Sequence, residues 1–239
     1  MGCHYPQTLI VGIVEMITIL VATKNSHKLQ EIQSILQGSV RWLSLRDFPE
    51  APEIVEDAPT FQGNAAKKAA TIAAFASGKF ESVEDTYILA DDSGLEVDAL
   101  NGDPGVLSAR FAHLDTNTFG NAPDAANNAK LLRLMRNFDP SERTARFCCV
   151  LALASCASSK NQRVTRKMEE PKILFFSGTC EGRILQSPQG SEGFGYDPLF
   201  VPEGYEQSFA QLGDSIKNRL SHRAKALHLL NAWLTKPHP

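Results

Sequence analysis

The chain of 239 residues has no long basic run and no internal repeat, and its formal net charge is −3. Nothing global therefore draws it to nucleic acid or to an anionic membrane, and a site for a polyanion must be built locally from a few Lys and Arg side chains. Long apolar runs are scarce as well. "TLIVGIV", residues 8–14, is too short to cross a bilayer. It lacks the basic leader and the clear small-residue cleavage site of a signal peptide. Cysteine is sparse and odd in number: Cys3, Cys148, Cys149, Cys156 and Cys180, with no C-x-x-C spacing. That argues against a disulfide framework and a cysteine-based zinc site, and for a reducing cytoplasm. Cys148 and Cys149 sit in the apolar run "RFCCVLALA", where free thiols act as small hydrophobes.

What is present is ordinary for a globular protein, with 43% hydrophobic and 21% charged residues. The length suffices for a sizeable core. "ITILVAT" (17–23) is an uninterrupted β-branched run, as in a strand buried on both faces. A helix follows with Leu29, Ile32, Ile35 and Leu36 at helical spacing, capped by Asn25 or Ser26 and closed by Gly38. "VRWLSL" (40–45) reads as a second strand, Thr60 to about Ala76 as an Ala-rich helix, and "YILADDSG" as a strand entering a carboxylate-bearing turn. A helix ends near Arg136. "TARFCCVLALASC" and "KILFFSGTCEGRIL" are long strands, separated by a polar, charged hairpin loop over residues 156–171. The last helix starts at Ser221, with Ala224, Leu227, Leu230 and Leu234 on one face. Strand–helix alternation with long strands predicts an α/β protein with a mixed sheet. Residues 1–16 match no element and read as an N-terminal extension, either disordered or upstream of a start at Met16; residues 17–239 read as one domain.

Four segments can carry chemistry. "TKNSHK" (23–28) places a hydroxyl, an amide and a lysine between a strand's carboxyl end and a helix N-terminus, which suits a phosphate. It is neither a P-loop nor a dinucleotide fingerprint. In "ADDSGLEVDALNGDPG" the adjacent Asp91 and Asp92 repel each other unless cations or donors stand nearby, and on extended backbone only one of them is expected to face a cleft. Glu56, before the Ala-rich helix, could share Mg²⁺ with an Asp from 91–92, two carboxylates plus water and phosphates being a suitable set. Lys217 and the pair His222–Arg223 flank the last helix's N-terminus, where a cation opposes the dipole and calls for another reason to be there. A fifth stretch, "GFGYDPLF" (193–200), sets glycines beside aromatic rings, as where backbone must approach something closely. Each stretch alone also reads as a capped helix start, an Asx turn, a solvated helix end or a β-turn.

Taken in order, "ATKNSHKLQEI", "TFQGNAAKKA", "ADDSGLEVDALNGDPGVLSARF", "GFGYDPLF" and "KNRLSHRAKAL" resemble the inosine/xanthosine triphosphate pyrophosphatase family, over residues 17–234. The resemblance implies an elongated mixed sheet with helices, two lobes around a central cleft, and a homodimer. It implies a Mg²⁺-dependent hydrolysis of non-standard purine nucleoside triphosphates (ITP, dITP, XTP) to the monophosphate and pyrophosphate. Carried onto this chain, Thr23, Lys24, Asn25, Ser26, His27 and Lys28 hold the triphosphate, with Lys68. Glu56 and Asp92 hold the metal, Asp92 is also the base that activates water, and Ser93 touches the substrate. Phe194, Gly195, Tyr196 and Asp197 wrap the nucleoside, and Lys217, His222 and Arg223 complete the base pocket. The extension 1–16 and the charged loop 156–171 depart from the family pattern without touching these residues. Two other readings stay open: a pyrophosphatase of similar fold acting on pyrimidine or modified nucleotides, and a nucleotide-binding module without catalysis.

Overall fold

The computed structural model describes residues 17–36, 40–77, 79–80, 86–116, 118–156 and 172–236. The expectations for residues 1–16, for Gly38 and for the loop after Cys156 lie outside these residues.

Six strands form one mixed sheet, in the order β2-β1-β3-β4-β5-β6. Strands β1 (Ile17–Val21), β2 (Val40–Ser44) and β3 (Thr86–Val97) run parallel, connected through helices α1 (Ser26–Ile35) and α2 (Phe61–Ala76). The later strands β4 (Thr144–Ser155), β5 (Ile173–Ile184) and β6 (Phe200–Pro202) add antiparallel. Helix α3 (Asp124–Met135) precedes β4, and α4 (Phe209–Leu220) and α5 (His222–Leu234) close the chain. The apolar runs read from the sequence are buried on both faces. Leu20, Ile88, Ala90 and Ala152 pack on one side with Ala65, Ala69 and Ile72 of α2. Ile19, Val21, Leu89 and Leu151 pack on the other with Ile32 of α1 and Leu227 and Leu230 of α5. A third cluster, including Leu95, Phe147, Leu199, Phe200 and Phe209, fills the far end of the long strands.

The turn expected at Ser93-Gly94 is absent. Strand β3 continues to Val97, with Asp92 opposite Val150, Ser93 opposite Cys149 and Gly94 opposite Cys148. A chain turns at carboxylates to reach water; here cationic side chains meet them inside the protein, and the ladder runs on. Gly94 serves close packing instead, since a Cβ there would stand 2.4 Å from the Gly105 carbonyl and 2.5 Å from Ser108 Oγ.

Candidate active site

Strand β1 is short. Its pairing with β3 ends at Val21 opposite Leu89, and the Ala22 N–H makes the last contact, 2.8 Å to the Leu89 carbonyl. Past that point the β1-side edge of β3 is open, and a cavity of about 560 Å³ lies against it. Ligands in open α/β sheets lie in such crevices beyond the carboxyl ends of strands. Because the edge is open, Asp91 and Asp92 both line the cavity even though they point to opposite faces of the sheet. The expectation that only one would face it is corrected on this ground.

Asp91 faces α1 and α5. It is fully enclosed, and its Oδ1 accepts from Lys28 Nζ and from Ser93 Oγ (3.0 Å). Its Oδ2 accepts from Arg223 Nε (2.9 Å), with Cys149 Sγ at 3.4 Å. Burial alone would raise its pKa, but the adjacent Arg223 and Lys28 outweigh it and hold the carboxyl well below its ordinary range. The ion chain continues. Arg223 Nη1 meets Glu31, whose other oxygen accepts from Lys217 Nζ (2.8 Å), and Lys217 reaches Asp197 Oδ2 (2.7 Å). Six groups of alternating sign thus link the start of α1 to the 193–197 turn, through side chains that are almost all buried.

Asp92 faces α2. Its Oδ1 accepts from Lys68 Nζ (2.9 Å) and its Oδ2 from Asn64 Nδ2 (3.2 Å). Lys68 Nζ also donates to Glu56 Oε1 (3.0 Å), so one ammonium draws the two carboxylates together. Burial raises the Asp92 pKa and the nearby Glu56 charge adds to this, against the pull of Lys68. Lys68 is buried too, yet Asp92 and Glu56 raise its pKa. Among the described residues no three His, Cys, Asp or Glu side chains converge into a metal-ligating group. Mg²⁺ needs fewer: one or two carboxylates suffice when waters and substrate phosphates complete the octahedron. Glu56 and Asp92, on one shared ammonium and both on the cavity wall, fit that requirement.

At the start of α1, Asn25 is the N-cap. Its side chain accepts from the N–H groups of His27 (2.9 Å) and Lys28 (3.3 Å), while Thr23 Oγ1 accepts from the Asn25 N–H (3.1 Å). The helix-end donors expected to greet a phosphate are thus already paired with side chains. Thr23, Lys24, Asn25 and Lys28 line the cavity; Ser26 and His27 do not. His27 instead stacks on Phe194 (centroids 5.6 Å apart, planes 24° apart) and lines a separate polar cavity behind it.

The 193–197 turn answers to its glycines. Gly193 sits at φ +77°, with the Asp197 carboxylate 2.2 Å from where a Cβ would stand, and Gly195 sits at φ +63°. Asp197 Oδ2 accepts from the Phe194 N–H (2.9 Å), and Lys217 Nζ lies 4.3 Å from the Phe194 ring centre. Of the two rings, Phe194 is the less buried, lining the cavity beside Lys217 and His27. Tyr196 is buried in the far core cluster with its hydroxyl on the Ser108 carbonyl (2.9 Å), though its edge reaches the cavity. His222 is buried and stacked on Phe147 (4.8 Å between centroids). Burial, reinforced by Arg223 and Lys217, holds its pKa well below the usual imidazole value, and its Nδ1 has no protein partner.

Fifteen of the seventeen sequence-predicted positions lie on this one cavity: Thr23, Lys24, Asn25, Lys28, Glu56, Lys68, Asp92, Ser93, Phe194, Gly195, Tyr196, Asp197, Lys217, His222 and Arg223. Sequence reasoning missed Glu31 and Asn64. Asn64 is a polar residue on a largely apolar side of α2, a signal the sequence does offer, whereas Glu31 lies among His27, Lys28 and Ser34 on its helix and nothing local marks it.

The architecture defines an α/β protein with a polar crevice lined by paired cations and carboxylates. The chain belongs to the Ham1 family, whose sequence profile matches residues 19–233. It is similar to a dITP/XTP pyrophosphatase of Geobacter sulfurreducens, 45% identical over 220 residues, covering 92% of this chain and 97% of the relative. A dITP/XTP pyrophosphatase of Shouchella clausii is 43% identical over 212 residues, covering 89% and 93%. Among solved structures, a HAM1 protein from Coxiella burnetii superposes with a TM-score of 0.73 at 36% identity, covering 93% of this chain and all of that one.

Proposed function

We propose that this protein hydrolyses non-standard purine nucleoside triphosphates (ITP, dITP and XTP) to the monophosphate and pyrophosphate. The observation that carries the reading is the two-ended cavity: Asp92, Glu56, Lys68 and Lys28 at one end, the Phe194 ring and the Lys217–His222–Arg223 group at the other. Relatives at 43–45% identity bearing the dITP/XTP pyrophosphatase name support it.

Lys28 and Lys68 meet the triphosphate, and their charge offsets what builds on the departing pyrophosphate. Asp92, ionised and with its basicity raised by burial, takes a proton from water. The water oxygen bonds to the α-phosphorus as the bond from that phosphorus to the α,β-bridging oxygen breaks, and the electron pair leaves on pyrophosphate. Glu56 and Asp92 would hold Mg²⁺, which supplies charge neutralisation and orientation of the phosphates. Phe194 stacks on the base. The 6-keto oxygen of hypoxanthine or xanthine accepts from a buried donor of the Lys217–His222–Arg223 group, which adenine's amino group would leave unpaired. Arg223 has already committed Nε to Asp91 and Nη1 to Glu31, so its Nη2, 3.4 Å from Ser93 Oγ, is the edge left for a ligand.

We place the protein in a reducing compartment, the cytoplasm, on its four free cysteines among the described residues, and as a homodimer on the family resemblance. No described helix is long and apolar enough to cross a membrane.

A panel of ITP, dITP, XTP, GTP, ATP, dTTP and UTP with Mg²⁺, scored for pyrophosphate and orthophosphate separately, tests the function. Pyrophosphate from the first three, little from ATP and none after chelation with EDTA is expected. Orthophosphate with a diphosphate product would overturn it, and a preference for pyrimidines would favour the related pyrophosphatase reading.

A further inference from the structure

Asn64 stands in the first turn of α2 and is 0% exposed, on a buried side of the helix that, Lys68 apart, is made of Phe61, Ala65, Ala69, Ile72, Ala73 and Ala76. Asparagine is a poor choice for a helix interior, and a buried carboxamide costs stability unless its acceptor and donors are met. Alanine, used four times along this side, would serve packing better. The contacts explain the choice. Asn64 Oδ1 accepts the Ala58 N–H at 2.9 Å. An N–H can only be met by the oxygen end of the amide, so the amide orientation is settled and Nδ2 is turned to Asp92 Oδ2, at 3.2 Å. Lys68, four residues on and therefore on the same helix face, holds the other Asp92 oxygen at 2.9 Å.

We propose that Asn64 is a positioning residue for the hydrolysis. One hydrogen bond from Lys68 leaves the Asp92 carboxylate free to rotate about its terminal bond; a second, on the other oxygen, fixes its plane and thereby the direction in which it takes the water's proton. Asn64 is also a strut. Through Ala58 it helps tie down the segment 52–58, which carries Glu56 and has no helix or strand of its own, so this amide joins Lys68 and Arg110, whose Nη2 donates to the Glu56 carbonyl (2.6 Å), in setting the spacing of both carboxylates. Displacements of the order of 1 Å in such groups cost about 100-fold in rate.

The inference rests on Asp92 being the base, and its test separates the two. Steady-state kcat and KM for ITP are measured on the full chain for Asn64→Ala and Asn64→Asp, each alone and combined with Asp92→Asn, alongside thermal unfolding. Asn64→Asp keeps an acceptor for the Ala58 N–H and deletes the donor to Asp92, so it reports on the Asp92 contact where Asn64→Ala loosens the fold. With Asp92 intact, kcat is expected to fall about 10- to 100-fold in both variants, with KM within about 3-fold of wild type. In the Asp92→Asn background the same changes are expected to lower the residual turnover by less than about 2-fold, because the group they act through is gone. A kcat near wild type, a loss confined to KM, or an equal loss in both backgrounds would each overturn the positioning role. Near-normal turnover of Asp92→Asn alone would overturn the base assignment, and the inference with it.

Discussion

Arg223 and His222 are neighbours in sequence with opposite electrostatic fates. Arg223 is buried between Asp91 and Glu31, which raise its pKa further. It is part of the frame as much as of the pocket, since removing it would leave two buried carboxylates without their partner. His222 is buried beside that cation and stays neutral. The sign of its effect on stability follows. Below about pH 6.5 the unfolded chain takes up a proton that the folded imidazole refuses, so stability is full above that pH and falls as pH drops toward the depressed folded pKa, by about 1.4 kcal/mol per pH unit. His222→Gln has no such proton to take up on unfolding. Urea unfolding of both proteins between pH 7.5 and 5.5 should show the wild type losing this extra increment. Parallel pH profiles would mean that the imidazole titrates normally in the fold.

At the scale of elements, β5 and α5 pack closely at Gly178, where a Cβ would stand 2.1 Å from the His222 carbonyl and 2.7 Å from the Ala226 nitrogen. Gly178→Ala must push the start of α5 away from the sheet. Overpacking of this kind costs about 1–3 kcal/mol, and the displaced end carries His222 and Arg223. A melting temperature lower by several degrees together with a raised KM for ITP is expected, while Ser177→Ala, at the exposed neighbouring position, should change neither. An unchanged KM in Gly178→Ala would detach the position of α5 from nucleotide binding. Sequence reasoning read β1, α1, β2, α2, β4, β5 and α5 well, their apolar patterns being long enough to survive an interior polar residue such as Asn64. Helix α4 escaped because Gly213, at φ +74°, breaks its period, although Ser208 and Gln211 form a legible capping box. The end of β3 was misread because adjacent carboxylates and a Ser-Gly pair look like a turn until Lys28, Lys68 and Arg223 arrive from three helices. That convergence is tertiary and leaves no local trace.

At the scale of the whole molecule, the short parallel half of the sheet and the long antiparallel half meet at β3, and the crevice opens where β1 stops. The Lys28, Lys68 and Asp92 side chains of the cavity come from α1, α2 and β3, and Phe194, Lys217 and Arg223 from the 193–197 turn, α4 and α5; under the proposed function the order along the chain would follow the nucleotide from phosphate to base. The alternating chain from Lys28 to Asp197 binds the two ends into one rigid frame, with Glu31, the residue least visible in the sequence, at its centre. Motif order and spacing disclosed the set; only the fold shows that Asp91 is enclosed by Lys28 and Arg223 while Asp92 shares Lys68 with Glu56.

The account stands most directly on where water attacks. Hydrolysis of ITP in ¹⁸O-labelled water, followed by mass analysis of both products, reads this out. The account predicts the label in inosine monophosphate and none in pyrophosphate. Label in pyrophosphate would mean attack at the β-phosphorus and would contradict the placement of Asp92 and the metal site.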